Sequence, residues 1–200
     1  MSETLLHRPA SQDAEVLSSP DVAVHRAAPL ARLAFRGDAV AAGKAGAAFG
    51  ASLPMTPLAS NAVGERAALW LGPDEWLLLA AADCAGDDAA TVDAAARTRA
   101  ASLAGDLSAA LDRVPHALVD VSERNLALIV EGPRAADLLN TQVFLDLDPA
   151  AFPVGQVTRT LFTKAEIVLW RTAPERFVIE VWRSFVPYVD ELLRESARGL

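Results

Sequence analysis

Two pairs of apolar runs, each broken by a proline and an acidic residue, set the tightest limit on the fold. In "RAALWLGPDEWLLLAAAD" the runs flank Gly72-Pro73-Asp74, the punctuation of a tight hairpin-like connection. In the second half, "APERFVIE" again places proline and an acid ahead of an aromatic-led strand. Runs of this length, bounded by turn residues, read as strands. The same reading applies to "VAVHRA", "ARLAFRGD", "LVDVS", "LALIVEG", "VTRTLF" and "EIVLW".

Helical segments alternate with these strands, but not in a strict βαβ order. Gly37-Asp38 supplies a turn and an N-cap for an Ala-rich helix over 39–49. Pro54 and Pro57 make the following stretch a loop. A long helix is expected over about 87–114, with Leu103, Leu107 and Leu111 forming an apolar stripe that reads as core. Pro133 opens a short helix through Leu139, and residues 184–198 close the chain as another. The expected class is α+β: two related α/β lobes with mixed antiparallel sheets, 21–115 and 116–200, forming one compact unit. Residues 1–20 are polar and aperiodic, and read as a mobile N-terminal arm. Two echoes point to duplication: "FRGDAV" and "VEGPRA" each put glycine between strand and helix, and "GPDEWLLL" and "APERFVIE" share the Pro-acid turn.

Composition removes several function classes. Hydrophobic residues are 52% and charged ones 22%, an ordinary globular balance. A net charge of −8 with no basic stripe argues against nucleic acid. The opening residues lack a signal-peptide pattern, and no apolar run approaches the roughly 20 residues that span a bilayer. A cytoplasmic protein with no membrane partner is expected.

Catalytic templates find few parts. Cys84 is the sole cysteine, which leaves no internal disulfide and no cysteine-built metal site. His7, His25 and His116 are not spaced as joint metal ligands. Ser122, His116 and Asp120 could form a triad on paper, but no GxSxG elbow surrounds the serine. No GxGxxG follows a strand and no P-loop is present. Asp120-Val121-Ser122 reads first as a strand-end turn whose side chains bond local backbone.

From "VDVSERNLALIVEGPRAADLLN" through "TRTLFTKAEIVLWR" to "VWRSFVPYVDELL", the chain resembles the gamma subunits of heterotetrameric sarcosine oxidase. "LGPDEWLL" and "LLHRPA" also fit. More distantly, Asp120-Val121-Ser122, Gly132-Pro133-Arg134-Ala135 and Val154-Gly155-Gln156 are similar to the folate-binding aminomethyltransferases of glycine cleavage. The resemblance implies that fold, with Asp120, Arg124 and Glu166 as remnants of a folate site. The matching "KAE" retains only Glu166 where those enzymes begin the strand with acidic residues. A non-catalytic subunit is therefore implied, in a complex that oxidises sarcosine to glycine, with hydrogen peroxide and methylene-tetrahydrofolate or formaldehyde. The alternative is a stand-alone folate- or one-carbon-binding protein, or a small aminomethyltransferase-like enzyme. The resemblance places no cofactor on this chain, and puts FAD, FMN, NAD, tetrahydrofolate and zinc on the alpha, beta and delta subunits that would be its partners. For the partner surface, the repeated Trp-Arg pairs nominate Trp170, Arg171, Trp182 and Arg183, with Phe185. Alternation on a strand would bury the tryptophans and free the arginines for a partner's carboxylates.

Overall fold

The computed structural model describes residues 15–82 and 89–200, with two compact units within it. In the first, β3 (Leu30–Gly37) leads to α1 (Ala39–Phe49), then β4 (Ser60–Val63), β5 (Arg66–Gly72), β6 (Glu75–Ala81), α2 (Ala89–Ala110) and β7 (His116–Asp120). In the second, β1 (Glu15–Ser18) and β2 (Ala23–Arg26) join β8 (Asn125–Glu131), α3 (Ala135–Asn140), β9 (Val157–Phe162), β10 (Ala165–Ala173), β11 (Arg176–Trp182) and α4 (Val186–Ala197). The sheets are ordered β4-β5-β6-β3-β7 and β1-β2-β8-β11-β10-β9. Every pairing is antiparallel.

One plan is used twice: a strand, a helix, a three-strand meander and a second helix. The meander's last strand pairs with the unit's first strand, β6 with β3 and β11 with β8. Both sequence echoes fall on equivalent places in this plan. Pro73-Asp74 and Pro174-Glu175 each close a two-residue hairpin loop, between Gly72 and Glu75 and between Ala173 and Arg176. Each hairpin also carries an irregularity two residues before the turn, Trp70/Gly72 and Arg171/Ala173.

Local chemistry explains the first unit's elements. Asp38 Oδ1 accepts from Ala41 N at 2.8 Å, filling one of the orphan donors of α1. Gly50 ends the helix at φ 77°, a left-handed conformation that costs glycine nothing. Arg66 donates to the Phe49 carbonyl, with its guanidinium 5.8 Å from that ring centroid. Leu103, Leu107 and Leu111 are buried with Phe35, Phe49 and Trp76, as the stripe predicts. Trp76 Nε1 donates to Pro54 O at 2.7 Å, so the proline loop is tied to β6. In the second unit, Val189 and Leu193 of α4 pack with Leu128, Phe162, Phe177 and Ile179. Burial of each such side chain contributes about 1.5–3 kcal/mol.

Four expectations differ from the structure. Residues 15–18 are not arm but the edge strand β1, held by Val16 in the core and by Arg194 Nε donating to Val16 O at 3.1 Å. Residues 1–14 of the proposed arm, and Cys84, lie outside the described residues. The unit boundary falls at Ser122/Glu123 instead of 115/116, because β7 pairs with β3. Residues 21–28 fall in the second unit, because β2 pairs with β8. Ser60 and Asn61, read as the end of the proline loop, open the short edge strand Ser60–Val63 that pairs with β5.

His25 on β2 supplies a pH-dependent term. Burial lowers its pKa below the ordinary histidine value; Glu131 at 3.9 Å and Glu15 oppose this, while Arg176 reinforces it. The folded state thus favours neutral imidazole. This contribution is complete above the unfolded pKa and is lost as pH falls through the lower folded one. Between about pH 7 and pH 5, wild type should therefore lose more melting temperature than His25→Gln. Parallel pH profiles for the two proteins would contradict the assignment.

Candidate functional site

Asp120 and Ser122, in the motif that the resemblance nominated for a degenerate folate site, are engaged internally. Asp120 Oδ1 accepts from Ser122 N at 2.9 Å and from Ser122 Oγ at 2.6 Å. Ser122 Oγ in turn accepts from Arg32 N at 2.9 Å. Val121 N donates to Arg32 O at 2.9 Å, continuing the β3–β7 ladder past its end. The Asp-Val-Ser motif is a side-chain-closed turn, the local bonding for which these residue types are suited.

The paper triad does not assemble. His116 and Asp120 lie at opposite ends of β7, four residues and about 13 Å apart. The His116 ring meets Val114 O at 2.7 Å and stacks against Phe35. Arg124 Nε donates to Asn125 Oδ1 at 3.2 Å, and Glu166 sits half in solvent, 3.9 Å from Arg159. Asp120 belongs to the first unit and Arg124 and Glu166 to the second. Among the described residues, no three His, Cys, Asp or Glu side chains gather as a metal site.

The Trp-Arg pairs divide differently from expectation. Arg171 is 3% exposed, and its Nη1 donates to Leu147 O at 3.0 Å and Phe152 O at 2.8 Å. Its Nη2 donates to Pro174 O, and the guanidinium stands 4.9 Å from the Phe177 centroid. Burial lowers its pKa, with Asp148 opposing, yet a guanidinium remains charged. Arg171 is an internal strut, and Trp170 is buried as well; neither is available to a partner. Leu147 and Phe152 close over the arginine side of the first pair, a covering that alternation along the strand does not reveal.

Trp182 and Phe185 are 44% and 38% exposed, and Arg183 pairs with Glu123 at 3.2 Å in the open. Sequence reasoning missed Phe144, which is 90% exposed, and Leu161, which is 51% exposed. Val143 bridges Phe162 and points into the core, so Phe144 turns outward beside Leu161. The signal lay in the apolar run "VFL", but only the bridge reveals which member faces out.

Comparison with known proteins places the chain. The sequence model of the family described as "Sarcosine oxidase, gamma subunit family" matches residues 36–198. A sarcosine oxidase subunit gamma of Corynebacterium sp. (strain U-96) is 31% identical over 98% of this chain and 91% of that protein. One from Arthrobacter sp. is 33% identical over 66% of this chain, spanning 58% of its own length. Among solved structures, heterotetrameric sarcosine oxidase from Corynebacterium sp. U-96, in complex with pyrrole 2-carboxylate, superposes at a TM-score of 0.78. That match has 28% identity over 95% of this chain and 90% of the other. Aminomethyltransferase T of the glycine cleavage system from Bartonella henselae shares the fold at a TM-score of 0.61, with 13% identity over 88% of this chain and 46% of that one.

Proposed function

The chain belongs to the sarcosine oxidase gamma subunit family, and from that premise we propose that it is a non-catalytic, architectural subunit of a heterotetrameric sarcosine oxidase. The complex would oxidise the N-methyl group of sarcosine while dioxygen is reduced to hydrogen peroxide. Glycine leaves, and the carbon departs as formaldehyde after hydrolysis or is captured as methylene-tetrahydrofolate. In this proposal the alpha, beta and delta subunits are the partners and carry FAD, FMN, NAD, tetrahydrofolate and zinc. In this proposal the assembly is cytoplasmic.

The observation that carries the non-catalytic reading is the closed Asp120–Ser122 turn. A carboxylate that already accepts two hydrogen bonds from Ser122 is committed to its own strand end. A folate-dependent enzyme would need Asp120, Arg124 and Glu166 to converge on one ligand, and their bonding supports no such role. Asp120→Asn keeps an acceptor for Ser122 and removes the charge. In the assembled complex its kcat should stay within about twofold of wild type, whereas loss of a general base costs about 10²–10⁴-fold. A fall of that size would restore the stand-alone folate or one-carbon reading.

A further inference from the structure

One end of the second unit's sheet sets two arginines against each other. Arg183 N donates to Arg124 O at 2.9 Å, one step past the Trp182–Asn125 pair of β11 and β8. The two residues are directly opposed, and like charges in that position repel. Glu123 answers one of them, pairing with Arg183 at 3.2 Å. Among the described residues no carboxylate pairs with Arg124. Its side chain bonds an uncharged group instead, Nε donating to Asn125 Oδ1 at 3.2 Å. Asn125 is 3% exposed, whereas Arg124 is exposed. A buried amide therefore holds the guanidinium by its Nε edge, and the end-on fork of Nη1 and Nη2 is left without a partner among the described residues.

A carboxylate brought to that fork from outside the chain would accept two parallel hydrogen bonds and offset the repulsion between the arginines. Holding Nε in place beforehand lowers the ordering cost of such a contact. Trp182, across the ladder from Asn125, is 44% exposed, and Phe185, two residues after Arg183, is 38% exposed. Tryptophan and arginine dominate interface energies, and apolar side chains around an ion pair exclude water and so strengthen it. The chain carries a net charge of −8, a background that repels acidic surfaces and opposes self-association. Against it, an acidic partner is admitted where cations are in excess, as they are at Arg124 and Arg183. Resting on the subunit reading above, we infer that Arg124 receives an aspartate or glutamate side chain of another subunit of the complex, with Trp182 and Phe185 packed around the pair.

The test is assembly of the full complex from tagged partner subunits and variants of this chain. Arg124→Gln should weaken incorporation about thirtyfold, the scale of an interface hot spot, and Arg124→Glu should weaken it further. Arg124→Lys keeps the charge without the fork, so it should fall between wild type and Arg124→Gln. Arg124 gives the lone chain one hydrogen bond at an exposed position, so melting of the lone variants should not move. Lys44→Gln, which removes an exposed cation of the first unit, should incorporate as wild type. Wild-type incorporation by Arg124→Gln and Arg124→Glu would overturn the inference and leave the subunit reading intact. Equal losses with lysine, glutamine and glutamate would overturn it as well, since only a role in packing ignores the sign of the charge. A lone-chain dimer that Arg124→Glu dissolves would overturn it in favour of a second copy. Failure of the wild-type chain to join the complex would remove both readings.

Discussion

Arg171→Leu should destabilise the second unit by about 3 kcal/mol or more, while Arg183→Ala should change it by less than about 0.5 kcal/mol. The two arginines occupy matching places in repeated Trp-Arg pairs but opposite environments. Arg171 ties distant turns of the chain together: its fork reaches Leu147 O, Phe152 O and Pro174 O. Removing the guanidinium leaves those carbonyls short of a donor, at about 1–3 kcal/mol for each that stays buried. Leucine recovers some hydrophobic burial and removes the cost of a buried charge, which for an isolated ion pair can favour the apolar replacement. Here the orphaned partners are backbone carbonyls that cannot be replaced along with the arginine, so the loss prevails. Lysine should not rescue, because one ammonium cannot match a planar fork. Arg183 has only a solvent-exposed pair with Glu123 to lose. Urea denaturation of both variants decides it, and a stable Arg171→Leu beside an unstable Arg183→Ala would reverse the assignment.

Gly132→Ala should be comparably damaging, at about 3 kcal/mol. Gly132 joins β8 to the turn entering α3 at φ 125°, a conformation L side chains rarely adopt. A Cβ there would stand 2.5 Å from Asp21 O and 3.0 Å from Val22 Cα. Both obstacles are backbone, fixed because Arg134 N donates to Asp21 O at 3.1 Å. Dihedral strain and steric overlap each cost about 1–3 kcal/mol. Gly43→Ala is the control: its added methyl meets nothing within 4 Å, and it lies inside α1, where alanine is the better helix former. Thermal melts should separate the two by sign. Equal stability of Gly132→Ala and wild type would show that the β8–α3 junction can relax.

Strand and helix positions could be read closely because their signals are local. The Asp38 cap, the Gly50 stop and the Leu103–Leu107–Leu111 stripe are written in nearby residues, and β9 begins and ends where "VTRTLF" does. The repeated plan was visible in the two short echoes, which the topology places at equivalent junctions. What could not be read depends on partners distant in sequence. β1 is a strand only because β2 and Arg194 receive it. Arg171 is buried only because the turns around Leu147 and Phe152 close over it. Phe144 faces out because Val143 takes the inward place opposite Phe162. The Asp-Val-Ser motif shows the reverse case, since its local-turn reading needed no distant contact beyond Arg32.

We propose that this chain helps to build a sarcosine oxidase without performing its chemistry. Native mass spectrometry of the chain purified alone and coexpressed with the alpha, beta and delta subunits tests it most directly. The expected result is a lone chain with the mass of the polypeptide only, and stoichiometric incorporation into a flavin-bearing heterotetramer on coexpression. A lone chain that carries flavin or tetrahydrofolate in stoichiometric amount, or one absent from the assembled oxidase, would contradict it.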